Sequence, residues 1–359
     1  MKKKIFDVHG FFSFAIFGNG RLYEYLCYQH DFFVSKKLRN YSFSIEVVDK
    51  MEYKNSKRLL DGKEEFIRDG SYFIYNFNGA SVRFDGSMEL KMQKKIEIDE
   101  GFSKMKANTI IDMFFRIFNL KNEVYLVHAA CIEKENKGVL VPAWKGMGKT
   151  NACLEFVKEG FSFLADDKVW VGVDKKVYSY PRYVVIKGDD NFEFIDKLRV
   201  REKLRLVFRF ILSKLFNLKR RPISIVVNML AKPLVKYYRI QELFDQCQTI
   251  ASSELNEVLY LSKDSCGTKF IKEKTNPSLV SKKISRIAYV EWNMELLKIA
   301  SAHDILFPEE ESWMNELKLF FEMEENNIAD SLKSIKCNNI IIPEKKEYIN
   351  WENFYVTVK

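Results

Sequence analysis

The residue types able to do chemistry gather in one stretch of this 359-residue chain. Ala143, Trp144, Lys145, Gly146, Met147, Gly148, Lys149 and Thr150 follow the pattern small-x-x-x-x-Gly-Lys-Thr, a phosphate-binding P-loop. Backbone N–H groups from Lys145 to Lys149 would converge on phosphate oxygens, and the N-terminus of a following helix would add partial positive charge. Lys149 would reach the outer phosphates and, in an empty loop, face the surface; the Thr150 hydroxyl would sit on Mg²⁺. Ala143 stands where the usual motif has glycine, which is acceptable if its φ stays negative at a strand end. Gly146 and Gly148 remain where backbone must approach phosphate. The alternative is an ordinary strand–turn–helix whose glycines only make the turn.

Further groups accompany the loop. His128 lies in an apolar strand 21 residues before Lys149, and Asp166 and Asp167 close a strand 17 and 18 residues after it. Adjacent carboxylates repel unless a cation lies near them. One can order a Mg²⁺ shell, and the other can take a proton from an attacking hydroxyl. Arg182, after Tyr180 and Pro181, is a candidate substrate contact. His128 in such a strand reads equally as a satisfied core histidine.

Positioning these groups needs strands that end together, as in a doubly wound sheet, where ligands bind outside the carboxyl ends. An apolar strand over 138–142 precedes the loop, and a helix over 149–159 follows it. Residues 168–173 and 257–262 read as core strands, and 338–343 and 354–358 as late strands. Apolar residues at helical spacing predict helices over 104–119, 277–297 and 312–323. Residues 11–17, 41–48, 71–76 and 80–84 alternate as strands, with turn signals at 76–79 and at Asp85 and Gly86. The fold class is therefore α/β: a β-rich N-terminal domain over 1–103, whose aromatics read as core, and a nucleotide-binding domain over 104–359.

Composition bounds the rest. Hydrophobic residues make up 47% of the chain, enough for a sizeable core and against disorder. The six cysteines are scattered without a C-x-x-C pair, so free thiols in a reducing cytoplasm are expected, with neither zinc nor disulfides. The apolar run near the start is short and broken by Asp7 and His9, unlike a signal peptide. No run reaches the ~18 apolar residues of a membrane span. The net charge of +9 is uneven: residues 197–240 hold 13 Lys/Arg against the single acid Glu202. Within a segment over 191–240, apolar residues recur at threes and fours while Arg201, Arg205, Arg209 and Lys219 take other faces, predicting a basic amphipathic helical insertion. It is either a solvated face, a surface for an acidic peptide or protein, or a contact with an anionic membrane surface. No nucleic-acid recognition module is visible.

Taken together, His128-Ala129-Ala130, Gly146-x-Gly148-Lys149-Thr150 and the segment from Gly160 to Asp166-Asp167 resemble the catalytic domain of HPr kinase/phosphorylase and its relatives, which share a phosphoenolpyruvate-carboxykinase-like P-loop fold. The likeness covers about 124–182. It implies that Lys149 holds phosphate, that Thr150 and Asp166 bind Mg²⁺, that Asp167 is the general base and that His128 supports the aspartate pair. The family's downstream segment, containing glycine, arginine and a metal-binding glutamate, has no counterpart here, so HPr is not implied as the acceptor. The layout looks more like the HPr-kinase-like proteins of peptide-modification clusters, including lasso-peptide kinases, which phosphorylate a serine of a precursor peptide. The resemblance implies a kinase using ATP or another nucleoside triphosphate with Mg²⁺, acting on a serine of a peptide or protein. A small-molecule hydroxyl is the alternative acceptor, and a non-catalytic nucleotide-dependent binding or regulatory module the alternative function. A homo-oligomer is compatible with either.

Overall fold

Period-two alternation in the first hundred residues produces one eight-stranded sheet. Its strands are β1 (Lys2–Val8), β2 (Phe12–Gly18), β3 (Phe43–Val48), β4 (Lys57–Asp61), β5 (Glu64–Asp69), β6 (Tyr72–Phe77), β7 (Ala80–Asp85) and β8 (Lys95–Asp99). They lie in the order β1-β2-β3-β8-β7-β6-β5-β4, with β3 parallel to both β2 and β8. The signal at 76–79 is a two-residue hairpin: Asn78 and Gly79 both take positive φ, 55° and 83°, which matches the twist of β6 and β7. Helix α1 (Gly20–Gln29) joins β2 to β3 and buries Leu22, Tyr23 and Leu26. The computed structural model describes residues 1–38, 40–53, 56–187, 235–265, 267–344 and 349–358.

The aromatics of this sheet are core. Helix α2 (Lys104–Asn119) lays Phe114 on Phe43 and Phe115 on Phe12 and Phe14, with ring centroids 4.6–4.9 Å apart. The same cluster takes in residues far along the chain, including Trp292, Leu296, Trp313 and Leu317.

The second sheet holds the loop. Its strands are β9 (Val124–Val127), β10 (Ala129–Lys134), β11 (Lys137–Pro142), β12 (Ser162–Ala165), β13 (Val169–Gly172) and β14 (Lys176–Tyr178). A separate ladder pairs β15 (Val184–Lys187) with β16 (Val235–Tyr238). The second sheet is completed by β17 (Ser252–Asp264), β18 (Ile271–Lys274) and β19 (Lys336–Pro343). The order runs β12-β10-β11-β17. The far side of β17 then carries β14-β13-β9 on its first half and β19-β18 on its second. The sheet is mixed, not the doubly wound parallel sheet expected: β10 runs antiparallel between β11 and β12.

Helices cover both faces of this sheet, so its strands read as continuous apolar runs. Along β10, Ala130 and Ile132 face helix α3 (Lys149–Lys158), while Ala129 and Cys131 face the opposite cluster. That opposite face is packed by α4 (Pro277–Ala288) and by α6 (Trp313–Leu332), through Val280, Ile284, Ile328 and Leu332. Between α4 and α5 (Met294–Leu306) the chain makes a π-helical turn, Tyr289–Asn293. Arg116 of α2 is buried here. Its Nε donates to Glu324 Oε1 at 3.0 Å and its NH1 to Asn293 Oδ1 at 3.0 Å, tying α2 to α6 and to the end of the π turn.

Two expectations are corrected. The stretch 354–358 is not a strand but part of helix α7 (Trp351–Val358), because Phe354 and Val358, four apart, bury together against α3. The last part of the supposed helical insertion is strand β16. The rest of that segment, with Arg201, Arg205 and Arg209, lies outside the described residues. Among the described residues no helix is long and apolar enough to cross a membrane.

The buried Arg116–Glu324 pair gives a stability prediction. Glu324→Leu leaves a guanidinium buried without its carboxylate and should cost about 3–5 kcal/mol in urea unfolding, whereas Arg116→Met combined with Glu324→Leu should recover most of the loss. Equal stability of the single and double variants would contradict this account.

Candidate functional site

Strand pairing assembles the site. Val127 ends β9 opposite Val169, and Ala129 starts β10 opposite Pro142, so His128 sits at the corner between two strands. Cys131 pairs with Ala165, which brings the end of β12 and its aspartates to the same edge. Beyond β11, Ala143 stays extended, bridges to Leu261 of β17 and is fully buried. Its φ is not positive, so alanine is accommodated where the usual motif has glycine. Gly146 and Gly148 do need their freedom, with φ of +81° and +98°. At Gly148 a Cβ would also lie 2.5 Å from the Trp351 ring, because α7 packs over the loop. Trp144, Lys145 and Gly146 are exposed, and Met147 is half-buried against the core. Gly148 is the N-cap of α3, whose first amides have no intrahelical partners and face the loop's interior end.

The groups named from the sequence meet here. Lys149 is not surface-facing as expected but buried: its Nζ donates to the Ala143 carbonyl at 2.8 Å and lies 2.6 Å from His128 Nε2. An ammonium leaving water needs such partners. His128 Nε2 is also 3.0 Å from Asp167 Oδ1. The Thr150 hydroxyl donates to Asp166 Oδ2 at 3.0 Å, while Asp166 Oδ1 is buried with no partner. Asp167 is 53% exposed and faces outwards.

These neighbours drive the two aspartates apart. Burial, reinforced by the Asp167 charge, pushes Asp166 up to about 7. Asp167 goes the other way: burial opposes ionisation, but the His128 hydrogen bond and the His128, Lys168 and Lys149 charges hold it well below the usual carboxylate range. Burial works to lower His128, yet Asp167 and Glu291 outweigh it and raise the imidazole. Burial lowers Lys149 against the pull of nearby carboxylates.

Arg182 lies beneath the site, not free to meet a substrate as expected. It donates to Asp112 Oδ1 at 2.5 Å and to the Tyr180 hydroxyl at 2.6 Å. Asp112 also accepts from Lys168 at 2.6 Å and from Tyr180 at 2.9 Å. This buried cluster braces Lys168, the residue after Asp167. Glu291 was not singled out from the sequence. Its Oε2 lies 2.9 Å from His128 Nδ1, and the neighbouring Trp292 ring is 5.5 Å from the imidazole. Only an irregular turn inside an apparently continuous helix delivers it, and periodicity does not reveal such a turn.

Among the described residues no three His, Cys, Asp or Glu side chains form a metal cage. Mg²⁺ does not require one, since it is commonly held by one or two carboxylates together with substrate phosphates and waters. The Thr150 hydroxyl and the orphaned Oδ1 of buried Asp166 fit that role. Such a metal would supply charge neutralisation at bound phosphates.

Two predictions follow from this geometry. Asp166 and His128 both stand above their unfolded values, so the native state binds more protons than the unfolded chain from about pH 4 to beyond pH 7. Stability must therefore fall as pH rises through that window. In Mg²⁺-free buffer Asp166→Asn should remove the part between about pH 4 and 7, on the order of 4 kcal/mol; an unaltered pH–stability profile would count against a buried, protonated Asp166. Gly148→Ala should cost on the order of 1–3 kcal/mol from φ strain, with a steric part on top that Trp351→Ala relieves. Geometry alone carries the functional reading, because no protein-family model matches this chain and no match to it was found among curated proteins.

Proposed function

We propose that this protein is a Mg²⁺- and nucleotide-dependent kinase that transfers the terminal phosphoryl group of a nucleoside triphosphate, ATP in the first instance, to a hydroxyl. The observation that carries the reading is the meeting of Lys149, His128, Thr150, Asp166 and Asp167 at one strand edge beside a helix N-terminus. These groups come from three separate stretches of chain, and an ordinary strand–turn–helix has no use for them. The helix amides and Lys149 would bind and orient the phosphates. Asp167, exposed at the mouth, is placed to take the proton of an attacking hydroxyl. The layout fits an HPr-kinase-like domain of the phosphoenolpyruvate-carboxykinase-like fold, and the acceptor class it favours is a serine of a peptide or protein. The expected cytoplasmic setting agrees with ATP as donor.

One observation favours a second reading, a nucleotide-dependent binding module without transfer. Asp167 is held far below the ordinary carboxylate range by His128, which makes it a weak base in this arrangement. Turnover separates the two readings. Purified protein with Mg²⁺ and γ-labelled ATP should label a serine in an acceptor encoded near its own gene. Lys149→Ala should abolish labelling and greatly weaken nucleotide binding. Asp167→Asn should lose ~10²–10⁴-fold in rate at near-normal nucleotide affinity, and Asp166→Asn should raise the Mg²⁺ requirement. ATP binding with no transfer to any such acceptor would favour the binding module; unchanged turnover in Lys149→Ala would end the P-loop assignment.

A further inference from the structure

The π-helical turn Tyr289–Asn293 interrupts two otherwise regular helices, and turns of this kind gather at functional sites. This one is pinned. Arg116 donates to Asn293 Oδ1 at 3.0 Å and stacks its guanidinium 5.4 Å from the Trp292 ring, whose centroid is 5.5 Å from that of His128. The turn carries Glu291 inwards until Oε2 is 2.9 Å from His128 Nδ1. No other group meets Nδ1, which is buried.

The alignment of that contact is not that of a regular hydrogen bond, but its length decides the proton. A bare nitrogen lone pair facing a carboxylate oxygen at 2.9 Å would be repulsive, so Nδ1 is the N–H nitrogen. Nε2 is then the one ring atom that can gain or lose a proton. It lies between Asp167 Oδ1 at 3.0 Å and Lys149 Nζ at 2.6 Å. When Nε2 carries a proton it donates to Asp167; when bare it accepts from Lys149. A flipped ring, or the other tautomer, would put an N–H where Lys149 needs an acceptor.

We propose that Glu291 is a positioning residue of this site, locking His128 in its Nδ1–H form and thereby dedicating Nε2 to Asp167 and Lys149. Any effect on turnover rests on the kinase reading; the ring's tautomer does not.

The test uses the full-length protein with ¹⁵N-labelled histidine. The chain has four histidines, and His128→Gln identifies the relevant signals. At neutral pH the wild-type Nδ1 should show an N–H-type shift with one-bond proton coupling. Glu291→Met removes the acceptor and should convert Nδ1 to the bare type, whereas Glu291→Gln keeps an acceptor oxygen and should keep the N–H. In the kinase assay Glu291→Met should lose about 10²-fold in kcat with little change in nucleotide KM, as expected for a misplaced group, and Glu291→Gln should recover much of it. A bare Nδ1 in the wild type overturns the proposal, and so does an unchanged tautomer in folded Glu291→Met. If Glu291→Met does not fold, the wild-type spectrum decides alone. Absence of turnover with every acceptor, alongside the expected spectra, would remove the kinase reading and leave the role of Glu291 standing.

Discussion

The site depends on one strand pairing. β10 runs antiparallel between β11 and β12, hydrogen-bonded to both, so its beginning lies where both neighbours end. That single arrangement sets His128 beside the loop that leaves β11 and beside the aspartates that leave β12. A strand register is hard to shift, since a slip of one residue would exchange the two buried faces of β10. Ala130 and Ile132 on one side and Ala129 and Cys131 on the other are all fully buried, so neither face tolerates the exchange.

Charge placement then divides labour within the aspartate pair. Environments that push two neighbouring carboxyls in opposite directions are the mark of distinct roles. Asp166 is buried, bonded through Thr150 and has an oxygen to spare, so it suits an inward cation. Asp167 is exposed and anchored by His128, so it suits contact with an incoming group. Lys149, folded back on Ala143 and His128, occupies the position where phosphate charge would draw it outward.

A second layer holds these groups steady. Arg116 links α2, α6 and the π turn, and Asp112 on the same helix gathers Lys168, Tyr180 and Arg182. One face of α2 packs on the N-terminal sheet through Phe114 and Phe115. The eight-stranded sheet thus serves as a platform on which the supports of Glu291 and Asp167 are built.

Much of this was legible in the sequence, for local reasons. The P-loop, its preceding strand and its helix follow from glycine spacing and apolar patterning, and helix α2 and the hairpin at Asn78-Gly79 were readable in the same way. The residues of the site were also nameable, because their types suit phosphate chemistry and they lie within one stretch of chain. Tertiary structure decided the rest. Whether Lys149 faced water or the interior depended on an acceptor, His128, that reaches it only through β-sheet pairing. Residues 354–358 look like a strand, yet burying Phe354 and Val358 on α3 requires helical spacing. Arg182 could be named but not placed, because its partner Asp112 comes from a helix 70 residues earlier in the chain. Glu291 carried no local signal at all: its meaning arises from a π turn that turns one carboxylate towards a ring 163 residues away, and such a contact exists only once two sheets and the helices between them have packed.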